Sequence, residues 1–598
     1  MLHSEILERE NDLKHMKKTV FLIILFIIHY SMFGQIWSCG NEDEDKKVEI
    51  ERRLQIQKIK NAHPFSKSAG INYIAIKMHL FGLDNGTGYL DANSINDALA
   101  ELNRQFKPIN VEFYFSGTDF NYYPNTLFNN ANQTSIEDAA FHTTNGVNNA
   151  MNLYVSSVVK SPPPSGPVSG GWSYITPNSQ FYNRTWISSS QFNDNKTTIH
   201  EVGHYFGLLH TFNNSTNTLI SARELVTRNF NESSPRFSAN CRETGDYVCD
   251  TPSDPRGNGN ATVTNCSYSG TVRDANSDLF KPDVSNYMDY NFCAPNYFTG
   301  NQYSRMADGL LIVKNNSNNF TLTAPETLQN PPSNLLISNS SFKGYINLSW
   351  KDNSSVETGY IIERGTSPEG PFIPLAGVKA NTTVCNNLLL VPFSDNYFRV
   401  KPSNSKSNYS FVSSPIIGIP PSISIIGSTI GTPWTTDVEL STTDGEVYTL
   451  NNYTITQGEA KFRQNFTWSP SSIDWGSIAF PSGTAITSGP NIPIPSGMYS
   501  IIFNRITGAY QFNTSLGTRT VDFENSWIYP NPVKNRLFIQ PSPKITIEKI
   551  VVTDFSGKII LSQSQDFHSI SVEQLARGMY FVTLFSGDKQ YSNKFIKE

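Results

Sequence analysis

The chain has 598 residues, enough for three to five domains. It carries 46 Lys and Arg against 51 Asp and Glu, a net charge of −5, which excludes a protein with the strongly basic surface that nucleic acid requires. With a mean hydropathy of −0.35, only one segment is apolar enough to enter a membrane.

That segment is MKKTVFLIILFIIHYSMFGQ, residues 16–35. Lys17 and Lys18 precede the run VFLIILFII, which is too short for a comfortable membrane span. We predict a secretory signal within residues 1–35, with translation starting at Met16 and cleavage near Gly34–Gln35. An uncleaved signal anchor is the alternative.

Residues 36–68 are predicted to be a propeptide. Cys39 lies just after the signal in WSCGNEDED, and residues 36–39 loosely match a lipoprotein box, although Trp37 is unusual there. Residues 42–62 are highly charged and are expected to be helical or mobile. The pair Arg52-Arg53 is a candidate activation site.

Regular elements follow from residue 72 onward. The apolar run NYIAIKMHLFG (72–82) predicts a strand, as do VEFYFSG and NLYVSSVV. The apolar spacing of SINDALAELNRQF (94–106) predicts a helix with Ser94 as a candidate cap. The Pro and Gly content of SPPPSGPVSGGWSY (161–174) predicts a loop.

The stretch HEVGHYFGLLH (200–210) holds three of the ten histidines of the chain. On a helix, His200 and His204 lie on one face, where both imidazoles can bind one metal ion. Gly207 suits a sharp turn that returns His210 as a third ligand. Three protein ligands with a glutamate, Glu201, beside them are typical of a catalytic zinc site.

Three further motifs follow: GDYVCDTP (245–252), NYMDY (286–290) and FTGNQYSRM (298–306). In the last one, Thr299 and Gln302 predict a capping box that opens a helix near Met306. With HEVGHYFGLLHTF (200–212), these four ordered motifs resemble the pappalysin family of metzincins, in its ulilysin-like or cytophagalysin bacterial branch. The resemblance covers roughly residues 70–312.

The resemblance implies roles for individual residues. His200, His204 and His210 would bind Zn²⁺, and Glu201 would be the general base that activates a zinc-bound water. Met288 would form the apolar floor under the metal, and Tyr290 would stabilise the developing oxyanion. Asp246, the Val248 carbonyl and Thr251 would be ligands of Ca²⁺, which prefers oxygen donors.

The resemblance gives Cys39 a second interpretation, because latent ulilysin-like enzymes carry a Cys-Gly whose thiolate fills the open zinc position. Cys39 is therefore a candidate cysteine switch, beside the lipid-anchor and inert alternatives. The family prefers a basic residue after the cut bond, selected by an acid near the last cysteine. In this chain the corresponding stretch, MDYNFC (288–293), is short, and Asp289 is its only acid. We therefore expect a weaker preference for basic residues, with apolar or mixed substrate residues accepted after the cut bond.

Four of the six cysteines lie between 241 and 293 and are expected to form two disulfides in an exported chain. Three pairings are allowed, and we favour Cys241 with Cys249 and Cys266 with Cys293. Cys385, outside this group, is expected to stay unpaired.

The chain changes to β-sandwich patterning after residue 320. Residues 325–418 resemble a fibronectin type III domain, with Trp350, Tyr360 and Tyr397 at its core positions. Residues 420–515 resemble a repeat found with SusE/SusF-type surface starch-binding proteins. There Trp434, Trp468 and Trp475 either stack on glycans or belong to the core.

The C-terminal segment, residues 522–598, resembles the sorting domain read by the type IX secretion machinery. Its motifs are YPNPVKNRLFI, VVTDFSGKII, ISVEQLARGMYFVTL and the basic end KFIKE. A last adhesive β-sandwich is the alternative. The resemblance implies passage through an outer membrane, followed by release or surface attachment.

The sequence thus predicts a multidomain protein, with an α+β metzincin catalytic domain at residues 69–320 followed by all-β sandwich domains. We expect a secreted zinc-dependent endopeptidase that is made as a latent zymogen and cleaves proteins or peptides. The alternative is a surface binding or adhesion protein, with glycans as candidate ligands, whose metzincin domain is inactive. No nucleic-acid partner is expected.

Overall fold

The structure is a computed structural model, and it describes residues 42–62, 70–160, 168–177, 179–194, 196–231, 237–258, 261–264, 266–291, 293, 296–316, 318, 320, 330–468, 473–514, 527–540, 546–554, 557–587 and 589–598. The signal segment and Cys39 lie outside these residues. Among the helices that the structure describes, none is both long and apolar enough to cross a bilayer.

Six α-helices lie within the described residues, all of them before residue 320. They are α1 Glu42–Ala62, α2 Ala92–Gln105, α3 Thr126–Asn129, α4 Ser135–Asn145, α5 Thr197–Tyr205 and α6 Gly300–Asn316.

A six-stranded sheet forms the centre of the catalytic region, in the order β2-β1-β4-β8-β7 with β3 also paired to β1. All its pairs are parallel except β7 with β8. The strands of this region are β1 Asn72–Gly82, β2 Val111–Phe115, β3 Asn121–Pro124, β4 Met151–Ser156, β5 Val159–Lys160, β6 Val168–Ser169, β7 Gly171–Ser173, β8 Arg184–Ser188, β9 Val263–Thr264 and β10 Ser267–Tyr268.

One continuous core joins this sheet to the helices. Apolar residues of β1, β2 and β4 pack against those of α2, α5 and α6, with Ile199 and Val202 of α5 fully buried. Helix α5 therefore lies against the sheet with every one of its residues buried. This packing holds the HEVGH segment on a rigid support.

The predicted elements fit this region with two corrections. Strand β1 covers the predicted residues, but α2 begins earlier than expected, with Asp91 rather than Ser94 as its cap; the Asp91 carboxylate accepts from the backbone amides of Asn93 and Ser94. Residues 161–167 of the predicted loop 161–174 lie outside the described residues, and the rest of the prediction is wrong in part, because Val168–Ser169 forms β6 and Gly171–Ser173 forms β7. The capping box of α6 is confirmed, since Thr299 and Gln302 each accept a hydrogen bond from the other's backbone amide.

Helix α1 docks on the catalytic region through a buried ion pair. The guanidinium of Arg305, on α6, donates to both carboxylate oxygens of Glu49 at 3.0 and 2.9 Å. Arg305 also donates to the carbonyl oxygen of Gly207 at 2.7 Å. Within α1 itself, Arg53 pairs with Glu49 at 2.9 Å. Arg52, also on α1, donates to the carbonyl oxygen of Arg305. The candidate activation site therefore lies within a docked helix.

Two sheets form a sandwich between residues 333 and 417, in the orders β11-β12-β15 and β14-β13-β16-β17. Trp350 and Tyr360 are buried in its core, but Tyr397 is only half-buried and its neighbour Phe398 takes the core position. Cys385 is buried and unpaired. The strands are β11 Ser333–Asn339, β12 Tyr345–Lys351, β13 Gly359–Gly365, β14 Ile373–Lys379, β15 Val384–Leu389, β16 Asp395–Pro402 and β17 Ile416–Ile417.

This sandwich packs directly on the catalytic region through α2. At Gly377 the two backbones lie so close that an added Cβ would come within 1.9 Å of the Asn96 carbonyl oxygen. Ile361 of β13 belongs to the same buried core as the catalytic sheet. Lys401 of β16, itself buried, forms an ion pair with Glu112 of β2.

A ten-stranded sheet arrangement follows, along the path β23-β27-β26-β20-β19-β18-β21-β22-β24 with β25 paired to β21. Trp475 is buried and packs on Phe503, so it is a core residue and cannot stack on a glycan. The strands are β18 Ile423–Gly427, β19 Val438–Thr442, β20 Val447–Ile455, β21 Gly458–Gln464, β22 Asp474–Gly476, β23 Ser482–Thr484, β24 Ile486–Thr487, β25 Ile492–Ile494, β26 Gly497–Asn504 and β27 Ala509–Thr514.

The C-terminal region forms two more sheets, β28-β29-β32 and β31-β30-β33-β34, around a core of their own. The strands are β28 Trp527–Tyr529, β29 Arg536–Gln540, β30 Lys549–Thr553, β31 Ile559–Gln563, β32 Ser569–Ser571, β33 Gly578–Ser586 and β34 Lys589–Lys597. The predicted fold class is confirmed: an α+β catalytic region precedes all-β domains.

Candidate active site

Three histidines converge at the end of helix α5. His200 and His204 lie one turn apart on the helix, which ends at Tyr205. Gly207 then adopts a φ of +100°, and the chain turns back to bring His210 alongside. The Nε2 atoms of the three imidazoles lie 3.0, 3.1 and 3.3 Å apart. The sequence prediction from spacing therefore matches the geometry.

The protonation of these imidazoles suits a metal. Nδ1 of His200 donates to the carbonyl oxygen of Tyr287 at 2.6 Å, and Nδ1 of His204 to that of Leu208 at 2.8 Å. These bonds leave each Nε2 lone pair facing the common centre. Burial lowers the pKa of His200 to about 3 and of His204 to about 4, so both rings are neutral.

The donor set fits zinc. Three nitrogens bound at roughly 2.0–2.1 Å in tetrahedral directions would lie about 3.3 Å from one another, close to the observed separations. Within the described residues, this is the one group of three or more His, Cys, Asp or Glu side chains whose ligand atoms converge in this way.

Glu201 lies in the same helix and is 4% exposed. Burial raises the pKa of its carboxyl to about 8. Its Oε2 is buried and has no hydrogen-bond partner among the residues described. A buried carboxylate without a partner is costly, so its retention points to a chemical role for Glu201 rather than a structural one.

Strand β7 borders the site. A Cβ at Gly171 would come within 2.9 Å of the Glu201 Cγ and 3.1 Å of its Oε1, so only glycine lets the strand pass this close. β7 is the last strand in the described order of the sheet, so it forms a sheet edge beside Glu201. Sequence analysis missed this strand because its Gly-rich sequence is typical of loops.

Met288 and Tyr290 both lie close to the histidine segment, one buried and one at the surface. Met288 is fully buried, and its Sδ would be 3.0 Å from a Cβ added at Gly203 of α5. Tyr290 is 47% exposed, and its ring centre lies 4.7 Å from that of His210 and 5.7 Å from that of His200. Met288 thus supports the helix from below, while Tyr290 lies at the rim.

Arg256 is a residue of this site that sequence analysis missed. Its guanidinium lies 5.0 Å from the Tyr290 ring centre and 5.4 Å from that of Phe212, and pairs with Asp289 at 3.4 Å. Asp289 is fully buried and also accepts from the Tyr290 amide at 2.6 Å. No local motif marks Arg256, because its partners lie 33 or more residues away in sequence.

The predicted calcium ligands, Asp246, the Val248 carbonyl and Thr251, form a group of buried oxygens. Thr251 Oγ1 is 2.9 Å from an Asp246 carboxylate oxygen and 2.8 Å from the Val248 carbonyl oxygen. Burial raises the pKa of Asp246 to about 7, and the pKa of Glu224 is raised by its own burial and by Asp246. Glu224 was not predicted. Arg228 pairs with Glu224 at 2.8 Å and partly neutralises the two carboxylates.

Two disulfides fix the loops around these groups. Cys241 is bonded to Cys249 and Cys266 to Cys293, which is the pairing that the sequence analysis favours. The first brackets Asp246, and the second holds the end of the segment that carries Met288 and Tyr290. Both therefore stabilise the surroundings of the site rather than a distant part of the fold.

Comparisons with known proteins agree with this geometry. Residues 163–311 match the family described as pregnancy-associated plasma protein-A, a peptidase family, and residues 527–598 match the secretion system C-terminal sorting domain. An extracellular metalloprotease of Neurospora crassa is 26% identical over 37% of this chain and 67% of its own length. One of Verticillium alfalfae is 29% identical over 34% of this chain and 62% of its own length.

Two solved structures give partial superpositions. A promirolysin mutant from Tannerella forsythia covers 47% of this chain and 95% of its own, with 15% identity and a TM-score of 0.30. The FN1–FN3 domains of chicken CNTN1 cover 45% of this chain and 99% of their own, with 12% identity and a TM-score of 0.16.

Proposed function

Because this chain carries a pappalysin-type zinc metalloendopeptidase domain and ends in a secretion sorting domain, we propose that it is exported as a latent enzyme. Its metal would be held by His200, His204 and His210, and Glu201 would act as the general base. The observation that carries this proposal is the convergence of three neutral imidazoles beside a buried carboxylate without a partner.

The chemistry follows from the positions of these groups. Zinc, when bound, would supply the Lewis acidity that polarises a peptide carbonyl and lowers the pKa of a water. Glu201 takes a proton from the attacking water and delivers it to the leaving amine. Its raised pKa suits both steps, since the carboxyl can hold a proton near neutral pH. Tyr290, at the rim, is placed to donate to the developing oxyanion.

Docking of α1 supports latency. Arg305 connects Glu49 of α1 to the carbonyl oxygen of Gly207, the residue whose turn places His210. Cys39, three residues before α1 begins, is proposed to fill the open position on the metal as a thiolate. Its own position lies outside the described residues.

Maturation needs this helix to leave or unfold. The bond between Arg52 and Arg53 lies within α1, and proteases cleave extended rather than helical backbone. We therefore propose that cleavage at this pair follows undocking of α1, rather than starting it.

A calcium ion is proposed to bind at Asp246, the Val248 carbonyl and Thr251, with Glu224 as an added carboxylate near them. Asp246 and Glu224 are buried carboxyl groups whose pKa values are raised, and a bound cation would stabilise their charged forms. Oxygen donors of this kind suit calcium.

Glycan binding is a second candidate function for residues 420–515. The ring centres of Trp434 and Trp468 lie 6.5 Å apart, and Trp468 is 49% exposed with the Arg463 guanidinium 4.6 Å from its ring centre. Exposed indoles can stack on sugar rings. A glycan pull-down with the Trp468→Ala variant tests this function separately from peptidase activity.

The decisive experiment is hydrolysis of casein and gelatin by the secreted, matured protein, with and without a zinc chelator. We expect hydrolysis that the chelator abolishes and added zinc restores. A matured protein that binds zinc but cleaves neither substrate would favour the alternative, a surface binding protein with an inactive catalytic domain.

A further inference from the structure

The wall of the active site beside His210 is built from aromatic rings and one cation. Phe212 stacks on His210, with ring centres 4.7 Å apart and an interplanar angle of 7°. Tyr290 packs edge-on against both rings. The guanidinium of Arg256 lies against Phe212 and Tyr290, within about 10 Å of the His210 ring centre, which is the length of about three residues of extended chain.

The backbone around Arg256 is held in place. Its amide donates to Asp254 at 2.9 Å, and its carbonyl oxygen accepts from the Ser215 hydroxyl. Asp254 in turn accepts from the hydroxyl of Thr211, the residue after the third histidine, at 3.0 Å. The loop that carries Arg256 is therefore fixed to the segment that carries His210.

The charge of Arg256 is only partly compensated. Its single ion pair within the described residues is one contact of 3.4 Å with Asp289. The Asp289 carboxylate already accepts at 2.6 Å from the Tyr290 amide and at 2.7 Å from the Asn291 side chain. The side chain of Arg256 is 37% exposed, so its remaining N–H groups can reach a bound ligand. A guanidinium pairs in two-pronged fashion with a carboxylate.

We propose that Arg256 selects an Asp or Glu side chain at one of the two residues that flank the cleaved bond, and disfavours Lys and Arg there. The inference rests on the proposed peptidase function and adds a substrate class to it. The short distance to His210 limits the selection to residues next to the reacting carbonyl. The carboxylates of Asp289 and Asp254 beside Arg256 are both buried and already accept hydrogen bonds, so the guanidinium is the exposed charged group that this wall presents to the substrate.

Cleavage-site profiling on a proteome-derived peptide library tests this proposal. The matured full chain is compared with its Arg256→Gln, Arg256→Lys and Arg256→Glu variants. The matched control is Arg242→Gln, because Arg242 also lies over an aromatic ring, that of Phe230, and contacts none of the histidines. Peptides without acidic residues report whether each variant is folded and active.

We expect the parent and the control to enrich Asp and Glu at one flanking position on the order of tenfold, as a charge-assisted hydrogen bond allows. Arg256→Gln should remove the enrichment by lowering kcat/KM for acidic peptides alone, Arg256→Lys should keep part of it, and Arg256→Glu should favour Lys and Arg. An unselective parent, or enrichment that survives Arg256→Gln, overturns the inference and leaves the peptidase function intact. A parent that cleaves nothing overturns both.

Discussion

Replacement of Glu49 by Gln should release the catalytic domain from latency without changing any residue of the catalytic domain itself. Glu49 belongs to α1, which precedes the catalytic domain, and is 5% exposed between Arg305 and Arg53. Gln has nearly the same size but no charge, so Arg305 would remain buried with a weaker partner. Any effect on activity must then act through docking of α1.

The size of the effect follows from the contacts. Removal of one partner of a buried ion pair costs roughly 3–5 kcal/mol, and the Gln oxygen, which still accepts one hydrogen bond, recovers about 1–2 kcal/mol of it. A loss of about 2–3 kcal/mol raises the undocked fraction of α1 roughly 30- to 150-fold. Glu51→Gln is the matched control, since it removes the same charge from an exposed position of the same helix.

Two measurements follow this change. Hydrolysis of a quenched peptide by the unprocessed proform reports latency, and trypsin nicking at Arg52 and Arg53 in a Glu201→Gln background reports undocking without self-cleavage. We expect both rates to rise for Glu49→Gln and to stay at the parental value for Glu51→Gln. If the Glu49→Gln proform is as latent and as resistant to trypsin as the parent, the buried ion pair does not hold α1 in place.

Three further outcomes are expected. Glu201→Gln should keep its zinc, measured by metal analysis, while turnover falls by about 10²–10⁴, since Glu201 is placed as a base and not as a ligand; near-normal turnover would contradict this role. Removal of calcium should lower the Tm of the parent by several degrees and leave that of Asp246→Asn unchanged, because a bound ion stabilises only the folded state; equal responses would exclude this site. Burial raises the pKa of Glu49, but its arginine neighbours outweigh burial and lower it overall. The contribution of Glu49 to docking of α1 should therefore be complete above its ordinary pKa of about 4.3, and be lost as the pH falls from there through the lowered pKa of the docked state, seen as faster amide exchange in α1; exchange that does not change with pH would argue against the ion pair.

Local sequence patterns predicted the parts of the site that are local in the chain. The spacing of His200, His204 and His210 is set by helix geometry and one glycine turn, so it could be read without the fold. The capping box of Thr299 and Gln302 is likewise a contact between residues three apart. Strand β1 follows from a continuous apolar run.

Contacts between distant segments were not predictable in this way. Arg256 reaches Asp289 only because the fold brings their loops together, and Glu224 meets Asp246 for the same reason. Strand β7 exists because β8 offers it hydrogen bonds, which outweigh the loop preference of its own residues. The sequence did not decide the burial of Trp475 or of Tyr397. Which side of a strand faces the core depends on its tertiary pairing, which buries Trp475 and leaves Tyr397 half-buried.

The interface between α2 and the first sandwich has a consequence for proteolytic processing. Ile361 is part of the catalytic core, buried Lys401 pairs with Glu112, and the backbones touch at Gly377. A nick in the segment that joins the two units, residues 321–329, therefore breaks the chain but not the association. The catalytic region and its sandwich would migrate together on a sizing column after such a cut and separate only in denaturant.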